Sequence, residues 1–265
     1  GCYKCGAYGS PLIFVDVLAA TAEEINLRRI NQGMKPVQIE CLLILNDEDA
    51  AVTEKLKESI APLLAGAKEN ASNLLIEVEF HSKNFEELYP EIKQRLLGAR
   101  CSNVLFNLDQ CGYSHVSHET IRDIIGSWRS AEVILTFMIS SLLTYLSPNK
   151  DISGVPLDAE TRRQIEALLE KETKLSKPEW LGRAEILVYE RYKKCATYVS
   201  PFSINNPSGW RYWLMHFASN YRARQVYNNV LHQDGAQQAH FGRSGLRMLA
   251  YDPKDEGQLY VLDSN

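Results

Sequence analysis

Apolar positions recur at helical spacing through Leu12, Val15, Leu18, Ala19, Ala22, Ile25 and Leu27, directly after Ser10-Pro11. Serine followed by proline fits an N-cap and the first helical position, and Gly33 and Pro36 mark the end of that helix. Residues 39–45 (IECLLIL) are then apolar for the length of one strand, the texture of a strand buried on both faces of a parallel sheet. Asn46-Asp47 turns the chain and the cycle repeats. Residues 49–64 read as a helix, 74–80 (LLIEVEF) as a strand, and 85–97 as an amphipathic helix stopped by Gly98. A strand over 104–108, a helix over 119–128 and a strand over 133–139 follow. Alternation at this spacing predicts βαβ units, with ligands expected beyond the carboxyl ends of the strands.

Residues 148–178 are charged and polar, with Glu166, Glu170, Lys171, Glu172 and Lys174 on an expected surface helix, and they read as an insertion outside the sheet. A long helix over 179–194 leads to two β-rich runs, 196–204 (ATYVSPFSI) and 210–218 (WRYWLMHFA). The Asn-Asn-Pro-Ser-Gly segment between them predicts a hairpin, so an antiparallel pair should close the sheet. A surface helix is expected over 221–232.

Composition narrows the class. The chain has 265 residues, 45% hydrophobic and 23% charged, which suits one large globular domain or a domain with an insertion and excludes wholesale disorder. Its net charge of −4 provides no global field for a polyanion, so any nucleic-acid contact must come from a local patch. The longest apolar run, 133–146, is broken by Thr136, Ser140, Ser141 and Thr144 and is shorter than the roughly 20 residues of a membrane helix. A soluble protein is expected. Six cysteines scattered over a long chain suggest a reducing cytoplasm and no disulfide framework.

The opening GCYKCGAYGSPL is rich in glycine, which serves where a backbone turns tightly or approaches a ligand; a frayed terminus is the plain alternative. Cys2 and Cys5 form Cys-X-X-Cys, and His115 and His118 form His-X-X-His. Without a matched second pair this spacing assigns no metal, and His118 is expected at a helix entrance. Arg222, Arg224, Arg243 and Arg247 interleave with Tyr221, Tyr227, His232, His240 and Phe241, the residue types that grip phosphates and stack bases. The competing reading is a surface helix and a tail whose arginines pair with Asp252, Asp255 and Glu256. Gly242-Arg243-Ser244-Gly245 lacks the Lys-Ser/Thr of a phosphate loop, and no cluster of acidic ligands suggests a nuclease.

A βα series with a Gly-rich opening, polar residues after its strands and a closing hairpin resembles the class I S-adenosylmethionine-dependent methyltransferase fold. GCYKCGAYGSPL, LFNLDQCGY at 105–113 and AHFGRSGLRML at 239–249 resemble the three-Cys-motif partner (TcmP) family over most of the chain outside 148–178. The resemblance implies an α/β, Rossmann-like sheet, mostly parallel with a C-terminal antiparallel hairpin and helices on both faces. It implies a cofactor-binding core over 1–147 whose first strand precedes Gly1, a helical insertion over 148–178, and a C-terminal part over 179–265 completing the same domain. Gly1 and Gly6 would belong to the loop around the cofactor's methionine portion. Asp47, or Asn46 beside it, would take the ribose hydroxyls, and Asn84 with Phe85 would meet adenine. Plain alternatives are a helix-initiating turn at Asn46-Asp47 and a helix cap at Asn84.

Asp109, Gln110 and Tyr113 occupy the place where adenine amino-methyltransferases carry Asp/Asn-Pro-Pro-aromatic; both prolines are absent and the aromatic residue is displaced to Tyr113. A carboxylate ending a buried strand is costly unless it has a use. The implied activity is methyl transfer from S-adenosylmethionine to a nucleic-acid amine. The alternative is a catalytically inactive methyltransferase scaffold that serves a three-Cys-motif partner protein.

Overall fold

A computed structural model of the chain describes residues 8–71, 73–110, 116–138, 163, 167, 177–205 and 211–234. The protein is α/β. It divides into two compact units, Gly1–Arg95 and Leu96–Asn265, and the division falls within one helix.

In the first unit, α1 (Ser10–Asn31), β1 (Ile39–Asn46), α2 (Ala50–Asn70), β2 (Leu74–His81) and α3 (Phe85–Gly98) follow in order. The strands pair in parallel, with Ile39 opposite Leu74 and Leu45 opposite Phe80. Alternate residues of a strand point to opposite faces. One face therefore carries Leu43, Leu45, Ile76, Val78 and Phe80, which pack with Leu12 and Val15 of α1 and Leu56 and Ile60 of α2. The other carries Glu77 and Glu79, both bound by Arg95 of α3. Two helices thus cover one face and α3 lies on the other.

Four local expectations need correction. The cap of α1 is Gly9, whose carbonyl accepts from Leu12 N and Ile13 N at 3.0 and 3.2 Å, so Ser10 is already helical. Ile25 and Leu27, expected on the buried stripe, are exposed; the stripe passes instead through Ala22 and Asn26. Asn26 is 7% exposed, and its side-chain amide donates to Val37 O and accepts from Val37 N, both at 2.9 Å, tying the approach to β1 onto the helix. In residues 39–45 only Leu45 is fully buried, so the run is not sealed on both faces. Gly33 does end α1, at φ +71 with its N–H on Ile30 O. Gly98, expected as the stop of α3, is its last helical residue. The left-handed position is Arg100, at φ 57, where Arg100 N and Cys101 N bond to Leu97 O and Leu96 O.

The second unit contains β3 (Asn103–Asp109), α4 (His118–Ser127), β4 (Ser130–Phe137), α5 (Lys177–Tyr192), β5 (Tyr198–Asn205), β6 (Arg211–Ala218) and α6 (Tyr221–Asp234). Its sheet has the order β3-β4-β6-β5. β3 and β4 are parallel, whereas β6 runs antiparallel to both β4 and β5. The expected hairpin is present, but among the described strands parallel and antiparallel pairings are equally frequent, so a mostly parallel sheet is not what forms. Hairpin-linked strands must run antiparallel, and here β6 itself docks on β4, which adds a second antiparallel pair. Pro201 is accommodated because β5 is the outer strand of the hairpin, where a missing N–H is tolerated.

Val133, Leu135 and Phe137 face Phe217, Met215 and Trp213 across β4 and β6, and all six are buried. Tyr192 of α5 covers this face, 5.2 Å from the Phe137 ring and 6.0 Å from Phe217, with His118 of α4 behind it at 4.4 Å. His216 points to the opposite face and stacks on Tyr227 of α6 at 4.3 Å. Helices therefore lie on both faces of this sheet. Most of the expected insertion over 148–178, and the tail beyond Asp234, lie outside the described residues. Among the described residues, no helix is long and apolar enough to cross a membrane.

Candidate functional site

The carboxyl ends of β1 and β2 are knitted together by short polar side chains. Asn46 donates through Nδ2 to Lys83 O at 2.9 Å and accepts at Oδ1 from Lys83 N at 3.2 Å. Both ends of its amide are thus engaged by one backbone unit, which makes it a clamp between the strand ends. Asp47, half-buried, accepts from Asp49 N at 2.9 Å, and Asp49 caps α2 by accepting from Ala51 N at 2.8 Å. This is the helix-initiating turn; it uses Oδ1 of Asp47. Thr53 is buried beneath: it accepts from Ser82 Oγ at 2.9 Å and lies 3.3 Å from His81 O and Asp49 O. Asn84 accepts at Oδ1 from Glu86 N at 3.0 Å, the cap geometry, so its Nδ2 is the atom with which it can address a ligand. Phe85 packs against Tyr89 with ring centroids 6.0 Å apart. Lys83 binds Glu91 at 2.8 Å and, by that hydrogen bond and its charge, holds the Glu91 carboxyl below its ordinary range. Gly1 and Gly6 lie outside the described residues.

In the second unit Asp109 ends β3, opposite Thr136 of β4, at the carboxyl end of the parallel pair. It is exposed, which corrects the expectation of a desolvated carboxylate: β3 shows burial only at Phe106 and Leu108, and Asp109 falls on the other phase. Gln110 is buried and accepts at Oε1 from Val116 N at 3.2 Å, tying the end of β3 to the approach to α4. Tyr113 lies outside the described residues.

Arg222 and Arg224 open α6. Arg222 Nη1 donates to Gln225 at 3.0 Å, and Arg224 lies over the ring of Tyr198 at 5.8 Å, with Tyr221 edge-on to the same ring at 5.8 Å. Residues two apart on a helix diverge, so these arginines do not form one stripe. Nor are they near Asp109. Ala218, just before α6, pairs with Glu132 at the start of β4, whereas Asp109 pairs with Thr136. Four strand residues, on the order of 13 Å, separate the two ends. Arg243 and Arg247 lie outside the described residues.

His118 is the first residue of α4, as expected, with Ser117 as the cap. No cluster of three or more metal-ligating side chains occurs among the described residues, and Cys2, Cys5 and His115 fall outside them. A pair that sequence reading missed is His216 with Glu132, 84 positions apart and joined at 2.9 Å; no local pattern marks a contact formed by strand pairing.

Compared with protein-family models, with curated proteins and with solved structures, the chain finds no match in any of the three.

Proposed function

We propose that the protein is a class I methyltransferase-like enzyme, similar to the three-Cys-motif partner family, that transfers a methyl group from S-adenosylmethionine to a nucleic-acid amine. The observation that carries this reading is the four-stranded sheet: a parallel pair, β3-β4, extended by a hairpin whose second strand docks antiparallel on β4, with Asp109 at the carboxyl end of β3. The β1-α2-β2 unit supports it separately, since Asp47 and Asn84 both stand at carboxyl ends, where ligands of α/β sheets bind.

The residues fit the cofactor's chemistry in part. The Asp47 carboxylate uses one oxygen in its turn and can accept from ribose hydroxyls with the other. Asn84, with Oδ1 committed to the backbone, serves adenine as a donor through Nδ2, with Phe85 beside it. Asn46 acts through Lys83, fixing the loop that carries Asn84. When bound, S-adenosylmethionine supplies a methyl group on a positively charged sulfur. Asp109 would accept a hydrogen bond from the acceptor amine and orient its lone pair, and its carboxylate, or water, would take the proton the amine gives up on methylation. Orientation is the main contribution such a site makes.

Calorimetry with S-adenosylmethionine tests this reading. Binding that weakens in Asp47→Ala supports it, and absence of binding sinks it. With binding established, Asp109→Ala should retain cofactor affinity and lose methyl transfer. The inactive-scaffold reading is favoured by one observation: Gln110, in the motif position, spends its amide oxygen on Val116 N. It predicts normal folding and partner binding without cofactor.

A further inference from the structure

The strand order brings four segments to the amino-terminal end of the β3-β4-β6-β5 sheet: residues 99–102 before β3, 128–129 before β4, 193–197 before β5, and 219–220 after β6 with the first turn of α6, 221–224. These segments contain no Asp or Glu at all, in a chain whose acidic residues outnumber its basic ones, 33 to 29. They contain Arg100, Arg129, Arg222, Arg224 and Lys194, all exposed. A sixth cation, Lys193, is engaged by Glu190 at 3.2 Å. Neighbouring strands are about 4.8 Å apart, so the row extends over roughly 15 Å. Ser130 N bonded to Ser102 O, and Ser219 N bonded to Ala131 O, hold the connections to their neighbours.

Aromatic surface accompanies the charge. Tyr221 is 61% exposed, stands edge-on to Tyr198, and Arg224 lies over Tyr198 from α6. α6 begins at this rim, while α3 and α4 end just before it, so Arg100 and Arg129 stand where helix carboxyl ends favour cations.

We propose that this rim is a binding surface for single-stranded nucleic acid, in which Arg100, Arg129, Arg222 and Lys194, in the order of the strands, contact successive phosphates and Tyr221 stacks on a base. A protein whose overall charge repels polyanions gains from concentrating cations along one edge, and the exposed ring favours unpaired bases over a duplex or a lipid headgroup. The rim is at the far end of the strands from Asp109, so it is a holding surface and not an acceptor pocket. It requires no methyl transfer.

The test is fluorescence polarisation of the intact chain with a labelled 20-nucleotide oligo-dT, the same length of oligo-rU, and a 20-base-pair duplex, with phosphatidylserine-containing vesicles in a sedimentation arm. Single strands should bind with affinity falling as salt rises, with a log-log slope near −3, about 0.7 per phosphate contacted. Arg129→Gln and Arg222→Gln should each reduce that slope by about 0.7. The double charge reversal Arg129→Glu/Arg222→Glu should weaken binding at least tenfold, and Tyr221→Ala about 5- to 100-fold. Lys55→Glu, an exposed reversal in the other unit, should change little. Circular dichroism melts establish that each variant is folded. The proposal is overturned if single strands do not bind at low salt, if Lys55→Glu weakens binding as much as the rim variants, if the duplex binds better than the single strands, or if only vesicles bind. Binding measured without S-adenosylmethionine is independent of cofactor calorimetry, so either result can fail alone.

Discussion

His216 Nε2 on β6 lies 2.9 Å from Glu132 Oε2 on β4, across a diagonal of the antiparallel pair, and the His216 ring is sealed from the other side by Tyr227 stacked at 4.3 Å. A carboxylate oxygen accepts here and the ring nitrogen donates. Neither His216 Nδ1 nor the Tyr227 hydroxyl has a hydrogen-bond partner among the described residues, and burial raises the Tyr227 hydroxyl's pKa above the ordinary tyrosine range. The stack of Tyr227 on His216 ties α6 to the sheet. His216→Ala, which removes the ring and the bond together, should lower stability by about 2–4 kcal/mol. Glu132→Gln keeps an acceptor and should cost about 1 kcal/mol or less. Urea melts of both variants check this; equal losses would show that the charge of the Glu132 carboxylate, and not ring packing, carries the contact.

Cys195 is buried, and that burial pushes its thiol up to about 11, with Arg122 opposing the shift. The raised value means that the folded state favours the neutral thiol. This contribution to stability is fully present below the unfolded thiol's value, 9.0, and is lost as pH rises through about 11. Alkylation of the native protein at pH 8, mapped by mass spectrometry, should leave Cys195 far slower than the half-buried Cys41 and Cys101. Equal rates would contradict the burial.

Arg100 holds a left-handed backbone, at φ 57, where a side chain costs about 1 kcal/mol relative to glycine. Arg100→Gly should therefore raise the melting temperature by about 2–4 °C. Gly33→Ala, at φ +71 with open space around the added carbon, should do the reverse through backbone strain alone. Differential scanning calorimetry reads both, and a melting point lowered by Arg100→Gly would mean that its side chain contributes more than its backbone costs.

Asp109 and Asn46 should separate under mutation. Asp109 is exposed, so Asp109→Asn should change stability by no more than about 0.5 kcal/mol while, on the proposed function, abolishing methyl transfer. Asn46→Ala loses two hydrogen bonds to the Lys83 backbone and should cost about 1–2 kcal/mol in a denaturant melt. A large stability loss at Asp109 would make it a structural residue.

Much of the secondary structure was legible because its signals are local. The apolar runs at 39–45 and 74–80 mark strands that the structure extends by one residue each, and the Asn/Pro/Ser/Gly segment marks the hairpin. Where reading failed, a polar residue had taken an apolar place or a backbone conformation had no signature. Asn26 occupies the buried stripe of α1 because both ends of its amide are satisfied by Val37, and pattern counts such a residue as exposed. Arg100 takes a position that composition assigns to glycine. Asn84 leaves open a ligand role and a cap role, and its bond is of the second kind; Asn46 instead binds the Lys83 backbone across the strand ends, a contact that no local pattern marks.

By itself, the sequence determined the alternation of helix and strand, the helix-initiating turn at Asp47 and the closing hairpin, since each depends on residues within a few positions of one another. Only the tertiary structure decided that β6 lies between β4 and β5, that His216 meets Glu132, and that Arg100, Arg129, Lys194 and Arg222 share one rim while Asp109 stands at the other. Those facts follow from which strands pair and in which register. Pairing joins segments distant along the chain, and no local pattern encodes the partner.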